Sequence, residues 1–250
     1  MHKGTMLWLA IKAEKIYNIN TLIRYYEGKG VYMNPYDQFS PQYQEESDFK
    51  RFMRSRKQVP VNTFLIFLNL LVFVAVELTG SALDTMHMYR WGAGYAPAII
   101  VGKEYYRLVT AMFLHFGIQH LGNNMLVLLF LGDCLERNIG KFKYLLIYFV
   151  GGVGANILST CYEVIKKDGA VSAGASGAVF AVIGAMIYIL LINKGHIESF
   201  TAKRLIFMAA LSLYLGITSA GIDNMAHFGG LIFGFLLGIL LYRRPKRQRT

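Results

Sequence analysis

Beyond Pro60 the chain is a succession of apolar runs separated by short polar and basic stretches. A helix needs about 20 apolar residues to cross a bilayer, because the hydrocarbon core is about 30 Å thick and the helix rises about 1.5 Å per residue. Six runs meet or approach that length: Val61–Leu78, Phe116–Leu135, Tyr144–Ile165, Val171–Ile192, Leu205–Ser219 and Asn224–Tyr242. The fifth is the shortest. Alternating strand-type patterning is absent, and backbone groups in lipid must bond within their own segment, so all six predict helices. Residues 79–114 form a long connection after the first run and carry Trp91, Tyr95, Tyr105 and Tyr106.

Residues 1–58 differ from the apolar remainder of the chain. They are rich in Tyr, Asn, Glu, Lys and Arg, and Asn34-Pro35 and Ser40-Pro41 mark turns. The expectation is a cytoplasmic extension with a short amphipathic helix around residues 5–26. Met6–Ala10 is too short an apolar run for a secretory signal, and Lys12, Glu14 and Lys15 keep it from extending.

Composition sharpens the membrane reading. The 250 residues are 54% hydrophobic and only 16% charged, where a soluble domain carries about 25% charge. The net charge of +11 is divided into short clusters between apolar runs. Nucleic-acid binding would gather it on one soluble surface; division between loops fits anionic lipid instead. The clusters also orient the chain. With six spans, one side holds the basic residues from Lys50 to Lys57, Arg137 to Lys143, Lys194 to Arg204 and Arg243 to Arg249. The other side holds only Arg90, Lys103, Arg107, Lys166 and Lys167. The positive-inside rule then makes both termini cytoplasmic and residues 243–250 a basic cytoplasmic tail. Cys134 and Cys161 come after different runs and fall on opposite faces, so neither a disulfide nor a metal site is expected.

Polar residues inside spans are costly and direct attention to three places. Gly174-Ala175-Ser176-Gly177 puts one hydroxyl among small residues near the start of the fourth run. Taken alone this reads as helix packing. At a helix start, however, unbonded N–H groups and the positive dipole end could meet an oxyanion. His227 lies early in the sixth run, at a depth matching Ser176, and a neutral imidazole could take the hydroxyl proton. Alone it is equally an interfacial helix-end histidine. Gly230, Gly234 and Gly238 recur every four residues and predict a smooth face for close helix contact. His120 and Asn124 share a face of the second helix, and both can donate hydrogen bonds to an oxyanion. His115 is read as local packing and hydrogen bonding. His115, His120 and His227 could supply three metal ligands, but no carboxylate or thiolate completes the set.

These motifs together resemble the rhomboid family: His120 and Asn124 in the second run, Gly-Ala-Ser-Gly at the fourth, and Ala226-His227 with Gly229-Gly230 in the sixth. The resemblance covers roughly residues 60–242. It implies an all-α polytopic membrane protein: a six transmembrane helix rhomboid-like bundle, residues 59–242, behind the N-terminal cytoplasmic extension. It also implies an intramembrane serine protease in the cell membrane, cutting peptide bonds in or near transmembrane segments of single-pass or other membrane protein substrates. Ser176 resembles the nucleophile and His227 the base of a dyad. His120, Asn124 and the Ser176 N–H resemble the oxyanion site. No cofactor or metal is implied. Tyr106-Arg107 takes the place of the family's Trp-Arg pair, with Tyr in place of Trp, and Glu136-Arg137 with Gly140 resembles a structural turn. The segment around Gly216–Gly221, with the fifth helix, is the expected gate.

Two points stay open on sequence. Asp223, four residues before His227, is either the cap of the sixth helix or a third catalytic member orienting the imidazole. The chain as a whole could also be a non-catalytic relative that only binds transmembrane helices, or a small transporter, although its polar residues cluster towards one face. Asn156 is expected to hydrogen-bond across helices, and Glu77, Glu163 and Asp168 to lie at interfaces.

Overall fold

In the computed structural model, which describes residues 48–167, 169–197, 200–217 and 223–244, the apolar runs are helices. The chain divides into two units, residues 1–52 and residues 53–250. The expected helix around residues 5–26, Asp168, and the greater part of the Gly216–Gly221 segment lie outside the described residues.

The elements are α1 (Asp48–Arg56), α2 (Pro60–Thr79), α3 (Thr85–Arg90), α4 (Ala96–Ile100), α5 (Arg107–Thr110), α6 (Gly117–Val127), α7 (Asp133–Ile139), α8 (Lys141–Lys166), α9 (Ser176–Ile192), α10 (Ala202–Ile217) and α11 (Asn224–Leu241). Of these, α2, α8 and α11 are long and apolar enough to cross a membrane, and α9 is a shorter apolar helix of 17 residues. A π-helical turn, Leu128–Gly132, joins α6 to α7 and interrupts the second run. One antiparallel pair, β1 (His196–Ile197) with β2 (Phe200–Thr201), departs from the all-helical expectation. The chain leaves α9 through Lys194 and Gly195, both at positive φ, and this turn sets up the pair.

The fourth run needs a correction. Its apolar stretch begins at Val171, but the helix begins at Ser176. Ser172 instead pairs with Gly94 of the long connection, N–H to O in both directions at 2.7 and 2.9 Å. Gly174 then takes φ +151°, outside the helical region and open to glycine. The approach to α9 is thus extended, held by the loop it faces.

That loop is fixed by Arg107, which is buried. Its Nη1 donates to the Tyr89 and Ala93 carbonyls at 2.7 and 2.9 Å, and its Nε to Glu104 at 2.6 Å. The guanidinium also lies 4.1 Å from the Tyr89 ring centre. Tyr106 keeps its phenol exposed and donates to Glu104 at 2.8 Å.

At the other end of the bundle, Glu136 caps α2 from a distance in sequence. Its carboxylate accepts the Val61 and Asn62 N–H groups at 3.1 and 2.7 Å, which satisfies two first-turn donors at a positive helix end. Asn62 donates to the Leu128 carbonyl and to Asp133, both at 2.7 Å, and accepts from Tyr144 Oη at 2.6 Å. Arg56 grips both oxygens of Asp133. Gly132 borders this cluster because a Cβ there would collide with Asn62 Oδ1 and Tyr144 Oη.

The core is α9, buried continuously from Gly177 to Met186. It lies against α8 and α11, and against α11 the contact is backbone to backbone. A Cβ at Gly234 would overlap the Ala181 carbonyl, one at Gly230 the Gly177 carbonyl, and one at Gly184 the Leu231 carbonyl. The glycine repeat predicted as a smooth face is that face.

The glycine contact and the loop anchor each have a measurable consequence. Gly234→Ala should destabilise by about 1–3 kcal/mol through overpacking, whereas Gly122→Ala, with nothing within 4 Å of the added methyl, should be neutral or mildly stabilising. Thermal melts in detergent compare them, and equal losses would contradict the packing. In the loop, the Glu104 carboxyl is held below its ordinary range by the hydrogen bonds from Tyr106 and then Arg107. A depressed folded value means its stabilisation is full above the unfolded value near pH 4.3 and is lost as pH falls through the folded one. Acid should therefore lower the melting temperature less in Glu104→Gln than in the unsubstituted protein.

Candidate active site

Ser176 is the first residue of α9 and is partly accessible. The N–H groups of that first turn have no acceptor within the helix. The preceding residue is anchored: Ala175 N–H donates to His115 Nε2 at 3.4 Å, and Gly174 N–H to the Ala111 carbonyl at 2.9 Å. This is the local hydrogen-bonding place expected for His115, and its ring also meets His120 edge to face at 5.2 Å.

His120 and Asn124, one turn apart on α6, are both buried. A Cβ at Gly174 would stand 2.8 Å from His120 Nε2 and 3.5 Å from Ser176 Oγ. The imidazole and the hydroxyl therefore border the same small space, kept clear because residue 174 has no side chain.

His227 comes to this place from α11. It is buried, and its ring stacks on Phe180 with centroids 4.4 Å apart and planes 18° from parallel. Phe180 lies one turn beyond Ser176 on α9 and so shares its face. The glycine contact below, Gly230 on Gly177, fixes the depth at which His227 arrives. Among the described residues no hydrogen bond joins Ser176 to His227. His120 Nδ1, Asn124 Nδ2 and His227 Nδ1 are buried with no hydrogen-bond partner among them either. Three buried polar side chains thus keep unspent bonding capacity, with His120 bordering the Ser176 hydroxyl and His227 on Phe180, one turn along the same helix.

Asp223 does what a cap does. Its carboxylate accepts Ala226 N–H at 2.8 Å, and Ser159 of α8 donates to its other oxygen. Among the described residues no hydrogen bond runs from it to the His227 ring. Asn156 Nδ2 donates to the Leu108 carbonyl at 2.8 Å and ties α8 to the loop. Among the described residues no group of three or more His, Cys, Asp or Glu is set to hold a metal. Two partners were missed from sequence. Phe180 looked like one apolar residue among many, and only its four-residue spacing from Ser176 could have marked it. Ser159 carries no local signal for its bond to Asp223.

A family model described as Rhomboid domain matches residues 102–244, and with it the whole of this constellation. The chain belongs to the rhomboid family. Its relatives include Rhomboid protease GluP of Bacillus subtilis, 36% identical over 73% of this chain and 35% of that protein. RHOMBOID-like protein 4 of Arabidopsis thaliana is 40% identical over 59% of this chain and 36% of its own length. Putative rhomboid protease YdcA of Bacillus subtilis is 29% identical over 80% of this chain and 96% of its own. The chain thus spans about a third of the first two rhomboid relatives and nearly all of the third.

The cap assigned to Asp223 can be tested by stability. Asp223→Ala should lower it by about 1 kcal/mol, while Asp223→Asn, which retains a capping acceptor, should change it little. A larger loss in the asparagine variant than in the alanine one would contradict the assignment.

Proposed function

We propose that this rhomboid chain is an intramembrane serine protease with Ser176 as nucleophile and His227 as its base. The observation carrying this reading is the placement of both side chains over one face of α9: Ser176 at its start, and His227 stacked on Phe180 one turn on. Ser176 Oγ attacks the scissile carbonyl while a His227 ring nitrogen accepts its proton. The tetrahedral oxyanion is met by the Ser176 N–H, His120 and Asn124. His227 gives the proton to the leaving amine, the acyl-enzyme forms on Ser176, and a water activated by His227 releases the acid. Phe180 holds the imidazole plane one turn along the helix that begins at Ser176; catalytic hydrogen bonds are commonly loose before substrate binds.

The substrates in this reading are single-pass or other membrane proteins cut in or near a transmembrane helix. Small or helix-breaking residues should favour the cut, because a bonded helix hides its carbonyls. The same reading places six spans in the cell membrane, with residues 59–242 as the protease domain, residues 1–58 and 243–250 cytoplasmic, and Ser176 near the outer surface. Basic residues concentrated on one side support that orientation.

The missing Ser176–His227 hydrogen bond favours a second reading, a relative that binds transmembrane helices without cutting them. A fluorophosphonate probe separates the two. The protease reading expects covalent labelling of the purified chain, loss of label in Ser176→Ala, and labelling reduced at least ~100-fold in His227→Ala, as loss of a general base implies. Labelling that persists in Ser176→Ala, or that is absent from the folded unsubstituted chain, would sink it.

A further inference from the structure

α9 begins without a side-chain cap. Ala175 stands at the cap position and offers no acceptor of its own, where Ser, Thr, Asp or Asn is usual. Its φ of −68° and ψ of −4° are right-handed helical, so its N–H and that of Ser176 point the same general way, out of the N-terminal end of α9. Three successive N–H groups arrive at this end. Gly174 N–H is taken by the Ala111 carbonyl at 2.9 Å and Ala175 N–H by His115 Nε2 at 3.4 Å. Among the described residues Ser176 N–H has no acceptor, and it is the first left open.

The acceptor for Ala175 is thus a side chain from the stretch before α6, and both partners are buried. Without the imidazole, Ala175 N–H would be unpaired away from water, or the start of α9 would turn to find another acceptor. An imidazole that accepts at Nε2 carries its proton on Nδ1 and is neutral. The same ring stands edge to face with His120, centroids 5.2 Å apart and planes at 77°. One ring therefore touches both the peptide that leads into Ser176 and the imidazole of His120.

We propose that His115 is a positioning residue for the Ser176 site. It sets the Ser176 N–H through the Ala175 peptide, and His120 through the contact between rings. This rests on the protease reading, in which those two donors meet the oxyanion; His115 acts through them and not on the substrate. Donors of this kind are effective when they are held in place before charge develops. An apolar side chain of similar size would fill the same volume but leave the Ala175 N–H without its acceptor.

Kinetics of the full chain on a labelled transmembrane peptide test it, with His115→Leu and His115→Gln beside the unsubstituted protein. His115→Leu should lower kcat between about ten-fold and 100-fold, as misplacement of an oxyanion donor implies, and leave KM nearly unchanged. Binding of a peptide aldehyde, whose hemiacetal oxygen occupies the oxyanion position, should weaken in step with kcat. His115→Gln, whose amide oxygen can replace Nε2 as acceptor, should restore most of the loss in both. Thermal melts verify folding, and His115→Asn, too short to reach the Ala175 N–H, replaces His115→Leu if that variant does not fold. A folded His115→Leu with unchanged kcat, a loss confined to KM, or a loss that glutamine does not restore would overturn the proposal and leave the protease reading standing. An unsubstituted chain that neither cleaves nor takes the fluorophosphonate label would remove the protease reading, and this role with it.

Discussion

Backbone contact between α9 and α11 is the constraint on which the rest of this structure rests. Lipid gives no hydrophobic drive for two apolar helices to associate, so close packing must supply the attraction. Gly184, Gly230 and Gly234 remove the side chains that would hold the helices apart. Dispersion contacts are then made along the length of α9, which is buried continuously through its first three turns. The same contact sets the height of His227 relative to Ser176, because Gly230 sits on Gly177 within a turn of each. The packing that holds the core is thus also what brings imidazole and hydroxyl to one face.

Two polar clusters complete the frame, and each works by satisfying backbone groups. Arg107 takes up two carbonyls of the connecting loop, and that loop pairs with Ser172 and bonds Gly174. The entry to α9 is therefore held from outside the helix, which keeps the Gly174 position clear beside His120. At the far end Glu136 caps α2, while Asn62, Asp133 and Arg56 bridge α2 to the π turn. A buried network of this kind is costly if half satisfied, and here its main oxygens are all used. It ties α2 to α7 and α8 at that end.

Much of this was readable in the residues. Long apolar runs specify helices strongly in lipid because no other backbone arrangement satisfies itself there. The glycine repeat specified which face of α11 would meet a neighbour, and the Asp223 cap was one of two roles its side-chain chemistry allowed. The start of α9 was not readable. Val171, Ala173 and Ala175 are as apolar as the helix they precede, and only the pairing of Ser172 with Gly94 excludes them from it. The pairing of Arg56 with Asp133 was likewise hidden, since both residues carried plausible local roles and lie far apart in sequence. Phe180 was hidden for a third reason: stacking depends on the rotation of two helices about their axes, which composition does not encode. Residues with distinctive chemistry were visible, and the apolar ones that orient them were not.

The central claim is that the Ser176 hydroxyl, with His227 above the same face of α9, cuts peptide bonds within the membrane. Its most direct measurement is cleavage of a labelled transmembrane peptide by the purified chain in liposomes, with product masses read by mass spectrometry. The account predicts two products that sum to the peptide plus one water, from the unsubstituted chain only, with Ser176→Ala folded and inactive. Identical products from Ser176→Ala, or an intact peptide across several sequences with helix-breaking residues, would contradict it.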